Sequence, residues 1–329
     1  MLEKYDVRTD LALEKKERFD ADNVEVKGVI LEEDYDEELE IRTTTVIIET
    51  EKGAKIMGKP VGTYLTMEVP HMAVPDEDYH REISMKLAGH LKELLMKNQI
   101  ISEAKKQNFS ALVVGLGNRK VTPDALGPFV VDNLYVTRHI VNEYGKYAMG
   151  LEHANAISAM IPGVMAQTGM ETLEMVKGVA DITKPDVILA IDALAARSSR
   201  RLNRTIQIAD TGISPGSGVG NHRNGLTKES LGIPVIGIGI PTVVDAATIV
   251  NDTMENMIAA LESSKSLKGV GDVLKSYNAT EKYELIQELI SPHLNGMYVT
   301  PKDVDEMVKQ ISFTISEGLN VLFANNMLA

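Results

Sequence analysis

Between residues 24 and 70 apolar and polar positions alternate along three stretches, Val24 to Ile30, Glu40 to Thr50 and Gly62 to Val69. All three are rich in Val, Ile and Thr, which predicts β-strands and an antiparallel N-terminal subdomain. From Asp78 to Ile101 the spacing changes: Ile83, Met85, Leu87, Leu91 and Leu95 recur at steps of three and four, with Glu and Lys between them. That spacing predicts an amphipathic helix. Beyond it, short apolar runs at 111–116, 154–161, 187–191, 204–209 and 233–240 alternate with helical patterns. Such alternation predicts an α/β fold with a mostly parallel sheet covered by helices. Two further helices are expected at Thr280 to Ile290 and Thr300 to Asn325, the second opening on Thr300 as cap with Pro301 in its first turn. The expected divisions are residues 11–77 for the β-rich part and 78–329 for the α/β core.

Composition narrows this picture. A chain of 329 residues supports a large core. It has no cysteine, which removes disulfides, thiolate metal sites and cysteine nucleophiles. The net charge of −13 and the absence of Trp argue against a nucleic-acid partner, while leaving a basic protein open as substrate. No apolar stretch is long enough to span a membrane and the first residues lack the core of a signal peptide, so a cytoplasmic location is expected.

Two of the apolar runs deliver aspartates. Ala111 to Asn118 leads to Thr122-Pro123-Asp124, and Val187 to Ile191 ends at Asp192. If the runs are neighbouring parallel strands, both carboxylates converge at the carboxyl edge of the sheet, where open α/β sheets place their sites. Each has an ordinary reading too. An acid after Thr-Pro suits the first turn of a helix, here one running through Phe129, Val130 and Leu134. Asp192 has the ordinary option of pairing with Arg197, but a carboxylate directly after five apolar residues is costly to bury without a partner or a task. Gly115 and Gly117 let backbone approach closely at the first strand's end. Two carboxylates sharing a site split their pKa values, leaving one to hold a proton and the other to activate water.

Other motifs point less far. Asp210-Thr211-Gly212 matches one loop of the pepsin-like proteases, which need two in an all-β frame. Gly212-Ile213-Ser214-Pro215-Gly216 fits a nucleophile-elbow pattern, but Pro215 stands where a helix should start. The Gly216 to Asn221 stretch lacks the residues of a dinucleotide or P-loop motif. No His-Glu-x-x-His pair is present, and His139 reads as a packing residue. The pair is therefore expected to need neither metal nor cofactor, although Asp210, Asp245 or His222 offer oxygen and nitrogen ligands to a metal-assisted alternative.

Gly115 to Asn118, Val121 to Pro128, Val136 to His139, Ala190 to Arg197, Asp210 to Gly212 and Pro241 to Ala246 together closely resemble the germination protease family of spore-forming bacteria. The resemblance implies a fold like that of hydrogenase-maturation peptidases. It also implies an endopeptidase of the spore core that degrades small acid-soluble spore proteins, is made as a zymogen and assembles as a homotetramer. The family's proposed catalytic aspartates fall on Asp124 and Asp192, with Asp210 and Asp245 as secondary candidates. Arg8-Thr9-Asp10-Leu11-Ala12-Leu13-Glu14 looks like the segment the family cuts, so self-cleavage is expected between Asp10 and Leu11, with residues 1–10 as the propeptide. An acidic residue before the cut calls for a cationic receptor, for which Arg119, Arg197 and Arg223 are candidates. The competing readings are a metal-assisted peptidase and a non-catalytic anion-binding module.

Overall fold

In the computed structural model the described residues are 11–14, 27–101, 109–145, 154–216, 223–263 and 296–324. The elements run β1 (Val29–Asp36), β2 (Ile41–Ile48), α1 (Glu51–Met57), β3 (Gly62–Glu68), α2 (Glu77–Lys97), β4 (Ser110–Gly115), α3 (Leu126–Asp132) and α4 (Arg138–Tyr144). They continue with β5 (Ala156–Met160), α5 (Met165–Thr168), α6 (Thr172–Thr183), β6 (Val187–Ala196), β7 (Thr205–Ala209) and α7 (Lys228–Leu231). The last are β8 (Val235–Asp245), α8 (Ala246–Ser263), β9 (Tyr298–Val299) and α9 (Val304–Phe323).

All the strands join one mixed sheet in the order β1-β2-β3-β7-β8-β6-β4-β5, with β9 paired to the end of β8. From β8 to β5 the neighbours are parallel, and from β1 to β8 they are antiparallel. The α/β class read from alternating runs is the observed one. The N-terminal strands extend the same sheet through the β3–β7 ladder.

The central strands are apolar on both faces because helices cover both, as parallel sheets require. Val113, Leu189, Ile191, Ile206 and Ile238 face a core shared with α2, α3 and α9. Leu112, Val114, Ile188 and Ala190 face the opposite side with Val176 and Ala180 of α6 and Leu231 of α7. The helices α2 and α9 cross closely at Gly318, where an added Cβ would stand 2.9 Å from Leu87 Cδ2.

Several boundaries differ from expectation. β1 does not stop at Ile30 but runs through Glu32, Glu33, Asp34 and Asp36, since an edge strand exposed on most of its length accepts acids while its backbone pairs with β2. Val24 to Val26 lie outside the described residues, as does the expected helix at 280–290. The helix α1 was unexpected, yet it carries a cap: the Thr50 hydroxyl accepts from the Gly53 N–H at 3.1 Å. α9 starts at Val304 rather than at Pro301, because the Thr300 hydroxyl is engaged elsewhere, donating to the Thr242 carbonyl at 2.9 Å. β6 passes Asp192 and continues to Ala196. His139 is exposed rather than a packing residue.

Candidate active site

Strand β4 is followed by β5 on one side and, later in the chain, by β6 on the other, so the sheet changes direction between β4 and β6. Open α/β sheets form their crevices outside the carboxyl ends of strands at such a point. The last β4–β6 pair is Gly115 with Ile191. One residue further, Asp192 is flanked only by β8, in register with Gly239. Its carboxylate, 5 % exposed, accepts the Ala193 N–H at 3.0 Å.

Asp124 arrives from the β4 side. It closes a 3₁₀ turn over Thr122–Asp124 that precedes α3, instead of standing in the first turn of one longer helix. Its Oδ2 accepts the Asn118 N–H at 2.8 Å. Three glycines allow this wrap. Gly117 holds φ +111°, and a Cβ there would strike the Asp124 carbonyl. Gly115 is pressed against the Gly127 carbonyl, and a Cβ on Gly127 would stand 2.6 Å from the Ile191 carbonyl oxygen. The segment carrying Asp124 therefore rests on the residue before Asp192. From the other side, the buried Thr242 hydroxyl on β8 donates to the Pro123 carbonyl at 2.7 Å. Turn, β6 and β8 are thus locked together around the two aspartates.

Burial pushes the Asp124 pKa above the ordinary carboxylate value, opposed in part by the Asn118 N–H and by the positive charge of Arg223. Arg223, named from sequence, is accordingly brought to this site. Arg119 is already committed: its guanidinium forms a two-pronged pair with Asp132, with Nη2 at 2.8 Å from Oδ1. Arg197 lies past the end of β6, where its main-chain N–H donates to the Glu14 carboxylate at 2.9 Å.

The secondary aspartates go elsewhere. Asp210 follows β7, which runs antiparallel to β8, so it lies toward the opposite edge of the sheet. There its carboxylate accepts from the Thr63 N–H at 2.8 Å and the Asn98 amide at 3.1 Å. Asp245 lies six residues beyond Gly239 on β8, roughly 20 Å along the strand. It accepts the Ala247 N–H at 2.9 Å at the start of α8. Among the described residues no three His, Asp or Glu side chains gather into a cation site. His222 and Asp10 lie outside the described residues.

Gln167 and Arg201 escaped sequence reading, and Glu14 was read only as part of the segment expected to be cut. Gln167 steadies the loop after β4, donating to Asn118 Oδ1 at 2.8 Å. Glu14 and Arg201 are both buried, with Arg201 Nη1 at 3.6 Å from Glu14 Oε1 and Arg201 Nε at 3.0 Å from Glu68 Oε1. A lone glutamate closing the apolar Leu11-Ala12-Leu13 was the available signal.

Comparison with known proteins adds a family. Residues 7–268 match the model of the family described as Germination protease. A germination protease of Caldanaerobacter subterraneus is 48 % identical over 316 residues, covering 96 % of this chain and 93 % of the relative. One from Clostridium perfringens is 42 % identical over 98 % of this chain and 97 % of its own. The Bacillus subtilis germination protease is 39 % identical, covering 96 % of this chain and 93 % of its own.

Proposed function

The chain belongs to the germination protease family and is a peptidase, and on that premise we propose that it cuts small acid-soluble spore proteins at germination with Asp124 and Asp192 as its reacting pair. The observation that carries this reading is that the turn bearing Asp124, whose pKa burial raises, packs against Ile191, the residue before the buried Asp192, where β6 outruns β4. Asp192 takes a proton from a water as the water oxygen attacks the scissile carbonyl carbon. Asp124 gives its proton to the amide nitrogen as the carbon–nitrogen bond breaks. Transfer of the proton from Asp192 back to Asp124 resets the pair. Each positioned group supplies roughly 10²–10⁴-fold in such chemistry.

The same reading has the protein made as a zymogen that cuts itself between Asp10 and Leu11, working as a homotetramer in the spore core. A net charge of −13 favours encounter with a positively charged protein substrate. The test is to incubate the purified chain and its Asp124→Asn and Asp192→Asn variants with a small acid-soluble spore protein and map the cuts by mass spectrometry. Cleavage at defined sites by the parent, lost in both folded variants, is the expected result. Wild-type cleavage by either variant removes the pair from the mechanism.

A further inference from the structure

Strand β8 changes its pairing just beyond the Asp192 row. As far as Leu194 and Pro241 the partners on β6 and β8 advance one for one, and the next pair is Ala195 with Val243, so Thr242 has no partner in this ladder. An extra residue of this kind is a β-bulge, which bends the strand and re-aims its side chains. Bulges are rare between parallel strands and gather beside active sites. Pro241 supplies the local reason: it has no N–H to give a ladder, and within sheets proline keeps to edges and bulges. The turn of the strand shows in its packing. Ile236, Ile238 and Ile240 lie in the core shared with α2, α3 and α9, whereas Val244, at an even position like theirs, lies with Leu194 and Ala196 in a separate cluster.

The bulged residue is tied on two sides. Thr242 is 1 % exposed, and its hydroxyl donates to the Pro123 carbonyl at 2.7 Å. Pro123 is the residue before Asp124 in the 3₁₀ turn. The Thr242 carbonyl in turn accepts the Thr300 hydroxyl at 2.9 Å. Thr300 follows β9, whose pairing with Val244 and Asp245 holds it against β8. The Pro241 carbonyl accepts the Asn203 N–H at 2.8 Å. The bulge is therefore braced by its surroundings and presents a hydroxyl to the turn. Another contact of the same segment is the backbone seat of Gly127 on Ile191. The position of Asp124 is thus set by close packing against β6 and by a hydrogen bond from β8.

We propose that Thr242 is a positioning residue of the reaction: the bulge in β8 aims its hydroxyl at the Pro123 carbonyl, and that bond, rather than the bulk of the side chain, fixes where Asp124 stands relative to Asp192. The inference rests on the reading in which these two aspartates react. Valine has nearly the shape of threonine but cannot donate, so Thr242→Val leaves the Pro123 carbonyl without this partner and the turn free to shift. Serine keeps the donor and gives up only a methyl. Position matters steeply, since a misplacement near 1 Å costs roughly 10²-fold in rate. A shifted turn also admits water to a carboxyl whose pKa burial raises, so the Asp124 pKa should move back toward the ordinary carboxylate value. A hydroxyl that merely stabilised the fold would lower Tm and leave that pKa where it is.

The test follows cleavage of a small acid-soluble spore protein across pH by the full chain and its Thr242→Val, Thr242→Ser and Thr300→Val variants, with Asp124→Asn and Asp192→Asn in the same series and calorimetry to confirm folding. Thr242→Val should lower kcat roughly 10–100-fold with KM changed by no more than about twofold, and should move the alkaline limb of the pH profile to lower pH. Thr242→Ser should restore both kcat and the limb. Thr300→Val removes the brace behind the bulge and should act in the same direction by less; it decides the question if Thr242→Val does not fold, and a parental kcat and limb in it then overturn the proposal. Parental kcat and limb in folded Thr242→Val overturn it directly, as does a loss equally large in the serine variant or one that comes with an unmoved limb. If Asp124→Asn and Asp192→Asn are inactive while Thr242→Val is parental, the role of Thr242 falls and the aspartate pair stands. If either folded aspartate variant cleaves like the parent, the pair falls and this inference with it.

Discussion

Replacing Gly127 by alanine tests whether the two aspartates depend on the seating of α3. The added methyl would stand 2.5 Å from the Leu116 nitrogen, 2.6 Å from the Ile191 oxygen and against the Leu116 oxygen. All three are backbone atoms, and the Leu116 N–H is itself bonded to the Ile191 carbonyl at 2.8 Å. Comfortable carbon contacts lie near 3.5 Å, so the start of α3 must lift by about 1 Å. Overpacking of this kind costs about 1–3 kcal/mol, and the gain in helix propensity from Gly to Ala returns up to about 1 kcal/mol. A net loss of roughly 1–2 kcal/mol lowers Tm by about 2–8 °C at 2–4 °C per kcal/mol. The lift carries Asp124 away from Asp192, and a misplacement near 1 Å costs roughly 10²-fold in rate. Calorimetry and single-turnover cleavage of a spore protein measure the two effects. Gly178→Ala in α6 is the control, since an added Cβ there meets nothing within 4 Å, and it should be stabilising by up to about 1 kcal/mol. Wild-type Tm and turnover in Gly127→Ala would refute the argument that this contact seats the site.

With Asp124 as the acid and an ionised Asp192 as the base, activity should fall as pH rises through the elevated Asp124 pKa; a flat profile across that limb would remove Asp124 from the role. Arg223→Gln deletes a charge that opposes the elevation, so the alkaline limb should move to higher pH, and an unmoved or lowered limb contradicts the placement of Arg223. Linkage gives the matching stability sign: a carboxyl whose folded pKa is raised contributes stability below its ordinary pKa and loses it as pH rises through the raised value, and Asp124→Asn should abolish that part of the pH dependence of unfolding. Exhaustive chelation should leave cleavage unchanged, whereas loss without unfolding, restored by one added divalent ion, would favour the metal-assisted mechanism.

The parallel half of the sheet was legible because central strands are continuous apolar runs, and those at 111–116, 154–161, 187–191 and 233–240 start within two residues of β4, β5, β6 and β8. The same logic failed at the margins. β1 is held by backbone pairing while its side chains face solvent, so its acids carried no strand signal. The reach of β6 past Asp192 was hidden because Ala193 to Ala196 suit a helix as well as a strand. That Asp192 stands at the sheet's carboxyl edge was readable from a local contrast, a carboxylate directly after an apolar run, and that Asp124 lies near the end of β4 from the glycines and Thr-Pro before it. Gln207 and Arg201 were not, since a glutamine inside a strand and one arginine among several look like solvated residues until Ala12 and Glu14 are laid against them.

The site follows from unequal strand lengths. β4 ends at Gly115, while its neighbour β6 continues for five residues beyond Ile191, held there by β8 alone. The vacated edge at Asp192 is where the turn bearing Asp124 can settle, and the overhang from Ala193 to Ala196 leads to the amides that receive Glu14. One strand therefore carries both Asp192, the carboxylate proposed to react, and the overhang that ends at the Glu14 contacts. Because β6 and β8 are paired along this overhang, a substitution that shifts their register at the irregularity between Leu194 and Ala195 should lower turnover and loosen the Glu14 contacts together, whereas Asp124→Asn should lower turnover and leave those contacts in place.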